Sequence, residues 1–256
     1  MFSSVTLLIT HYNRSQSLQR LLDSFKKQGI KFGDIVVSDD GSRPEHLDRL
    51  KEIAPSYNFR LITTPKNAGL GNNINKGQDA VTTPYTLYVQ EDFDPFPGYA
   101  GHLQDALDIL DERPDIDMAR FYAYYKYPYL EPLRKGSSEM KFNVFKLGNR
   151  KFHYYSDHPH LRRSSFFKKF GRYAEGYNIE QAEFMMTMSF LKNRGKAIFY
   201  DDYKALFDQL NTASEPSTMK RGNLKLSNNF AIAFVRAIYR FIKYNYNYLK
   251  AKRLNN

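Results

Sequence analysis

The 256-residue chain contains no cysteine. Disulfides, thiolate metal sites and cysteine nucleophiles are therefore excluded, and the composition fits a reducing compartment. A leader is not expected either. Met1-Phe2-Ser3-Ser4 runs straight into an apolar segment with no basic stretch before it, so no secretory signal is expected. No run approaches the roughly 18 apolar residues that a spanning helix needs, and the longest late one, Phe230 to Val235, is cut by Arg236. No internal repeat is present. Acid is scarce near the end: Glu215 alone opposes Lys220, Arg221, Lys225, Arg236, Arg240, Lys243, Lys250, Lys252 and Arg253. Much of the formal charge of +11, from 38 basic and 27 acidic residues, therefore sits in the tail. Such an excess implies an anionic partner: nucleic acid, anionic lipid or phosphorylated ligand. The expectation is a soluble or peripherally attached cytoplasmic protein.

With 42% hydrophobic and 16% aromatic residues, the chain can bury a core. Val5 to Thr10 is a continuous apolar strand. A helix follows, with Ser15 as its cap, Leu18, Leu21, Leu22 and Phe25 on one face, and Gly29 as its stop. Asp34 to Ser38 predicts a second buried strand, Phe59 to Thr63 a third, and Tyr85 to Val89 a fourth, with helices between them. Asn67-Ala68-Gly69-Leu70-Gly71 opens the helix before the fourth strand. Strands alternating with helices over short links predict an α/β fold with a mostly parallel sheet. Beyond residue 96 the pattern loosens. It predicts a helix over Leu103–Leu110, a strand over Asp117–Tyr125, and a hairpin of Lys141–Leu147 with Arg150–Ser156 around Gly148-Asn149. Helices over Phe166–Phe170 and Ile179–Asn193 follow, then a last strand over Ala197–Tyr200, a polar linker and a terminal helix.

The strand ends carry the chemistry. They read Thr10-His11-Tyr12-Asn13-Arg14, Asp39-Asp40-Gly41-Ser42 and Gln90-Glu91-Asp92-Phe93-Asp94. Ligands of open α/β sheets bind outside the carboxyl ends of strands. Carboxylates grouped there suit a hard divalent cation, which in turn holds phosphates. The plainer readings are an Asx-type turn for Asp39 or Asp40, turn geometry for Gly69 and Gly71, and surface for Asp94.

Taken in order, these motifs resemble the family 2 glycosyltransferases of the nucleotide-sugar-dependent kind. That family's pattern is T-x-Y-N at one strand end, D-D-G-S at the next, an N-x-G loop with a later Asn, and a D-x-D-like acid motif. The resemblance covers residues 4 to 100 well and runs more loosely to about 210. It implies a GT-A, Rossmann-like fold, with residues 1–210 as the catalytic domain, 1–100 its nucleotide-sugar half and 101–210 its acceptor half. Residues 211–227 would be the linker and 228–256 a basic amphipathic helix. It implies base contacts from Thr10 and Asp40, with Asp39 beside them, a stacking or ribose-side surface at Tyr12, and diphosphate contact from Arg14. The loop motif contributes Asn67, Gly69, Gly71 and Asn75. The acid motif aligns as Gln90-Glu91-Asp92, so a Gln stands where the first Asp is usual. Asp92 becomes the expected ligand of a divalent cation, Mn2+ or Mg2+, with Gln90 a sugar-hydroxyl contact and Glu91 between them. The family's acid at a helix start before a Gly points to Glu183 as general base, with Glu180 in reserve; either could instead complement the helix N-terminus.

Asp157-His158-Pro159-His160 has no zinc-ligand spacing and reads as a loop near the acceptor. The aromatic run Phe121 to Tyr129 could line an acceptor groove or pack in the core. Phe230, Phe234, Ile238, Phe241, Ile242 and Leu249, with basic neighbours, read as a membrane-surface helix or as one docked on the domain or on a second subunit. The functional expectation is inverting sugar transfer from a nucleotide-diphospho-sugar, UDP-linked, to a glycan or lipid-linked glycan. The resemblance places it in bacterial surface polysaccharide or lipopolysaccharide synthesis at the cytoplasmic membrane face. A sugar-nucleotide pyrophosphorylase would want a glycine-rich basic signature near the start. A nucleic-acid-binding protein would want basic residues interleaved with aromatics on the domain, so no nucleic acid is expected.

Overall fold

The computed structural model describes residues 1–134, 136–211, 215 and 230–254. Its first half alternates as expected: β1 (Phe2–His11), α1 (Ser15–Lys27), β2 (Phe32–Asp39), α2 (Pro44–Tyr57), β3 (Arg60–Ile62), α3 (Leu70–Asp79) and β4 (Tyr85–Gln90). Next come β5 (Phe93–Pro95), α4 (Tyr99–Glu112), β6 (Met118–Arg120), β7 (Leu130–Pro132), β8 (Ser137–Met140), β9 (His160–Arg163) and α5 (Phe166–Phe170). The chain closes with α6 (Ile179–Lys192), β10 (Ala197–Tyr200), β11 (Phe207–Gln209) and α7 (Phe230–Lys250). One nine-stranded sheet has the order β3-β2-β1-β4-β9-β6-β10-β8-β7. All its strands but β9 and β8 run the same way. A separate pair joins β11 antiparallel to β5. This is the mostly parallel α/β architecture expected.

Side chains alternate across the central strands, so each face builds its own core. Leu7 and Ile9 of β1 face one cluster with Leu18, Leu21, Leu50, Leu103 and Leu110 from α1, α2 and α4. Leu8, Val36 and Tyr88 face the other, with Ile74, Phe166, Met186 and Phe190 from α3, α5 and α6. The sheet is therefore covered on both sides, as the unbroken apolar runs of β1 and β4 require.

Register places the functional strand ends side by side. Thr10 pairs with Ser38 on β2 and with Gln90 on β4, and His11 pairs with Asp39. The ends of β1, β2 and β4 thus open at one edge, where the sheet order reverses direction around β1.

Several expectations are corrected. The hairpin around Gly148-Asn149 does not form; β8 pairs with β7 and β10, and Arg150–Phe152 is a short 3-10 turn. The cause is packing. The Lys151 ammonium is buried and donates to the Val144 and Lys146 carbonyls, which curls the segment, while Phe152 packs against Phe142 and Tyr244. The strand over Asp117–Tyr125 shrinks to β6. Ala197–Tyr200 is not the last strand, since β11 follows it. Ser15 makes no capping bond; Arg14 is the N-cap residue, without a side-chain cap. The Glu215 carboxylate does that work from afar, accepting from Gln16 N at 3.0 Å and Ser17 N at 2.8 Å. A cap of this kind contributes about 1 kcal/mol. The expected linker over 211–227 lies outside the described residues apart from Asn211 and Glu215. Asp94 is no plain surface acid: it pairs with Arg20 at 2.9 Å and ties β5 to α1.

Candidate active site

A cleft of about 1020 Å3 opens at the ends of β1, β2 and β4. Of the expected residues it gathers Thr10, Tyr12, Arg14, Asp40, Asn67, Gly69, Gln90, Glu91, Asp92, Glu180 and Glu183 on one wall or another. Asp39, Gly71 and Asn75 stand behind it and shape it.

Asp39 is wholly buried. Its Oδ1 lies 2.7 Å from His11 Nδ1 and accepts from the Ser42 hydroxyl, and its Oδ2 accepts from Ser42 N and Thr63 Oγ1, both at 3.0 Å. Burial pulls its pKa up, but the bonds from His11 and Ser42 outweigh that and lower it to about 2. Asp39 is therefore the turn-holding member of the pair. Asp40 reaches across to the next loop, where its two oxygens accept from Ala68 N at 2.8 Å and Gly69 N at 3.0 Å. Burial nonetheless leaves its carboxyl raised. Gly69 has a φ of +91°, so only a residue without a Cβ suits this entrance to α3.

Gly71 permits contact of a different kind. A Cβ there would lie 2.6 Å from the Ala174 carbonyl oxygen. Asn75 holds the same loop: it accepts from Tyr173 N and donates to Tyr173 O, both at 3.0 Å, and donates to Glu175 at 2.8 Å. These two residues fix the 173–177 loop, which brings Tyr177 and the start of α6 to the cleft.

At the end of β4, the Arg14 guanidinium is buried. Its NH1 lies 3.3 Å from Asp92 Oδ2 and 3.7 Å from Glu91 Oε1, and its NH2 donates to Asn211 Oδ1 at 2.8 Å and to the Glu215 carbonyl at 3.0 Å. Gln209 donates to Asp92 Oδ2 at 3.0 Å. Burial first, then the Asp92 charge, push Glu91 up to about 8, with Arg14 opposing. Asp92 Oδ1 is buried and finds no hydrogen-bond partner among the described residues. Gln90 donates to the Asp157 carbonyl at 3.4 Å.

Elsewhere in the cleft lies a second acid pair. Glu183, on the first turns of α6, accepts from Asp157 N at 3.1 Å. Burial raises it, against bonds from Ser156 and Asp157. Asp157 is pushed up to about 7 by burial and then by the Glu183 charge. The Tyr173 hydroxyl donates to Asp157 Oδ1, Tyr155 bonds to Tyr173, and Asp157 Oδ2 is buried with no partner among the described residues. Reading along the chain placed Asp157 only in a loop near the acceptor. Its partnership with Glu183 depends on β9 returning beside β4 and β6, and no local spacing signals that. The aromatic run divides as alternation suggests: Phe121 and Tyr127 are buried, and Tyr124 lines the cleft, bonded to Gln209 at 2.8 Å.

The model of the family described as "Glycosyl transferase family 2" matches residues 6–171. The chain belongs to glycosyl transferase family 2. The "Cholesterol galactosyltransferase" of Borreliella burgdorferi is 26% identical over 126 residues, which are 47% of this chain and 33% of the relative. The chain spans a third or less of the length of the first curated relatives it matches. S. aureus TarS, residues 1–349, solved in complex with UDP-GlcNAc, superposes with a TM-score of 0.62 at 18% identity, over 98% of this chain and 76% of that one. The mannosyltransferase PcManGT of Pyrobaculum calidifontis, solved with GDP-Man and Mn2+, gives 0.59 at 14% identity, over 98% and 66%. These likenesses show the fold shared by the family.

Proposed function

We propose that the chain is an inverting glycosyltransferase that takes a sugar from a nucleotide-diphospho-sugar, UDP-linked, and passes it to a glycan or lipid-linked glycan. Surface polysaccharide or lipopolysaccharide assembly at the cytoplasmic membrane face is the proposed setting, with α7 against the anionic surface. Among the described residues, no helix is long and apolar enough to cross a membrane. One observation carries the reading: a buried guanidinium beside Glu91 and Asp92 and a second acid pair, Asp157 and Glu183, share a single cleft at the strand ends.

Each part has a chemical use. Thr10 and Asp40 border the place for the base, and Tyr12 offers it a flat face. Arg14 presents a fixed positive charge to the diphosphate as the leaving group gains charge. Glu183 takes the proton from the acceptor hydroxyl as that oxygen attacks the sugar's anomeric carbon from the face away from the diphosphate. Asp157 beside it sets the pH at which Glu183 is free to accept. Glu180, exposed on the same turn, complements the helix start.

The residues also fit a divalent cation. Asp92 Oδ1 is a buried, unpartnered hard donor at the diphosphate end, and Asp92 would hold the ion together with substrate oxygens. Among the described residues, no group of three or more acids or histidines could hold one alone. A bound Mn2+ or Mg2+ would add charge stabilisation of the leaving diphosphate.

A screen of UDP-, GDP- and dTDP-sugars for nucleoside diphosphate release tests this reading. Release from one class, lost in Glu183→Gln, supports it; no release from any of them, or equal release by that variant, contradicts it.

A further inference from the structure

A groove of about 600 Å3 lies between α6 and α7. Its floor is Phe184, Met185 and Met188; its rim is Lys243, Lys250 and Lys252. Met185 is 43% exposed and Tyr177 51%, so this apolar surface is open rather than sealed. Tyr177 lines both the groove and the catalytic cleft, so the two adjoin at the entrance to α6.

We propose that this groove holds the hydrocarbon chain of a phosphate-bearing lipid-linked acceptor, with the phosphate on the lysine rim and the sugar or hydroxyl end led past Tyr177 to Glu183. The inference rests on the glycosyltransferase reading of the cleft.

Charge and shape select the occupant. Residues 230–254 contain no acid, so the rim lysines meet no carboxylate from that segment. A neutral glycan would leave that charge unmatched, and a free phosphate would leave the apolar floor wet. An anionic amphiphile satisfies both. Methionines suit a chain of no fixed shape, because their unbranched side chains repack at little cost. The volume lies within the usual range of small-molecule sites. α7 is fastened to the domain by the Tyr244 ring tilted against Phe184, centroids 4.8 Å apart, and Tyr248 against Phe142 at 5.1 Å. Its outward side exposes Val235, Ile238, Tyr239, Ile242, Tyr246 and Leu249. That stripe would lay the groove's mouth against the surface from which a lipid is drawn.

The test is calorimetric titration of the full chain with octyl phosphate, decyl phosphate and inorganic phosphate, below micelle concentrations, alongside vesicles of phosphatidylglycerol. We expect saturable 1:1 binding that tightens about four-fold per added methylene, so that decyl phosphate binds roughly fifteen-fold more tightly than octyl. Inorganic phosphate should not bind measurably. Met185→Asp and Lys250→Glu should each weaken decyl phosphate ten-fold or more, while the UDP-induced rise in melting temperature stays as in the parent. Any of four results overturns the proposal: no saturable alkyl phosphate site, no dependence on chain length, affinity unchanged in both variants, or binding to vesicles alone. Loss of the UDP response in the parent chain would instead remove the transferase reading and leave the lipid measurement to be judged separately.

Discussion

Glu91→Gln should make the protein more stable at pH 8 and leave it nearly unchanged at pH 5. Glu91 is 8% exposed, adjoins Asp92, and has the Arg14 guanidinium as its counter-charge at 3.7 Å. Burial and the Asp92 charge raise its folded-state pKa from 4.5 to about 8. A carboxyl with a raised folded pKa keeps its proton in the native state and sheds it in the unfolded one. The unfolded state then binds fewer protons, and stability falls as pH climbs. The window runs from 4.5, the unfolded value, to about 8, the folded one. Within it the slope approaches about 1.4 kcal/mol per pH unit for one group. The neutral amide has no such slope. From pH 5 to pH 8 the variant should gain a few kcal/mol over the parent, less whatever Arg14 recovers when Glu91 ionises. Urea unfolding at pH 5, 6, 7 and 8 measures this directly. Asp157, raised to about 7 for similar reasons, leaves a shallower slope of the same sign in the variant. Parallel pH curves for parent and variant would show that Glu91 is ionised and content beside Arg14, and would refute the reasoning.

Further outcomes follow from the same geometry. Glu183→Gln should lower kcat by about 10²- to 10⁴-fold with little change in KM. Asp157→Asn should shift the acidic limb of the pH–rate profile downward, because Glu183 loses a like charge beside it; a large kcat loss in the Asp157 variant with none in the Glu183 variant would reverse the two roles. Gly71→Ala should cost about 1–3 kcal/mol, or roughly 2–10 °C in Tm, because its Cβ would press on the Ala174 carbonyl at 2.6 Å. An unchanged Tm would mean that the 173–177 loop is not set by that contact.

The first half of the molecule was legible because local pattern decides it. Buried parallel strands write themselves as apolar runs, and the residues that end them, Thr10, Asp40 and Gln90 to Asp92, stand where those runs stop. What was not legible depends on residues far apart in sequence. β5, β7 and β11 have three residues each, too few for any periodicity to show. Asp39 and Asp40 are identical as letters; only His11, Ser42 and Thr63 on one side and the amides of Ala68 and Gly69 on the other separate their roles. Glu215 caps a helix 198 residues away. In α7 the spacing left Phe234, Ile238, Ile242 and Leu249 to a membrane surface or to docking; these are exposed, and Tyr244 and Tyr248 make the contact with the domain. Tyrosines can dock through the ring while the hydroxyl stays wet, so apolar counting undervalued them.

The central claim is that this cleft binds a nucleoside diphosphate and that Asp92 makes it responsive to metal. Thermal unfolding with UDP, GDP and dTDP, each with and without Mn2+, tests it most directly. A nucleotide at a hundred-fold excess over its Kd should add about 2.7 kcal/mol. UDP should raise the Tm, and Mn2+ should add to that rise only when nucleotide is present, since Asp92 Oδ1 is a single unpartnered carboxylate oxygen at that end among the described residues. In Asp92→Asn the UDP effect should persist and the Mn2+ increment should vanish. No shift with any nucleotide, or a full Mn2+ increment in the variant, would contradict the account.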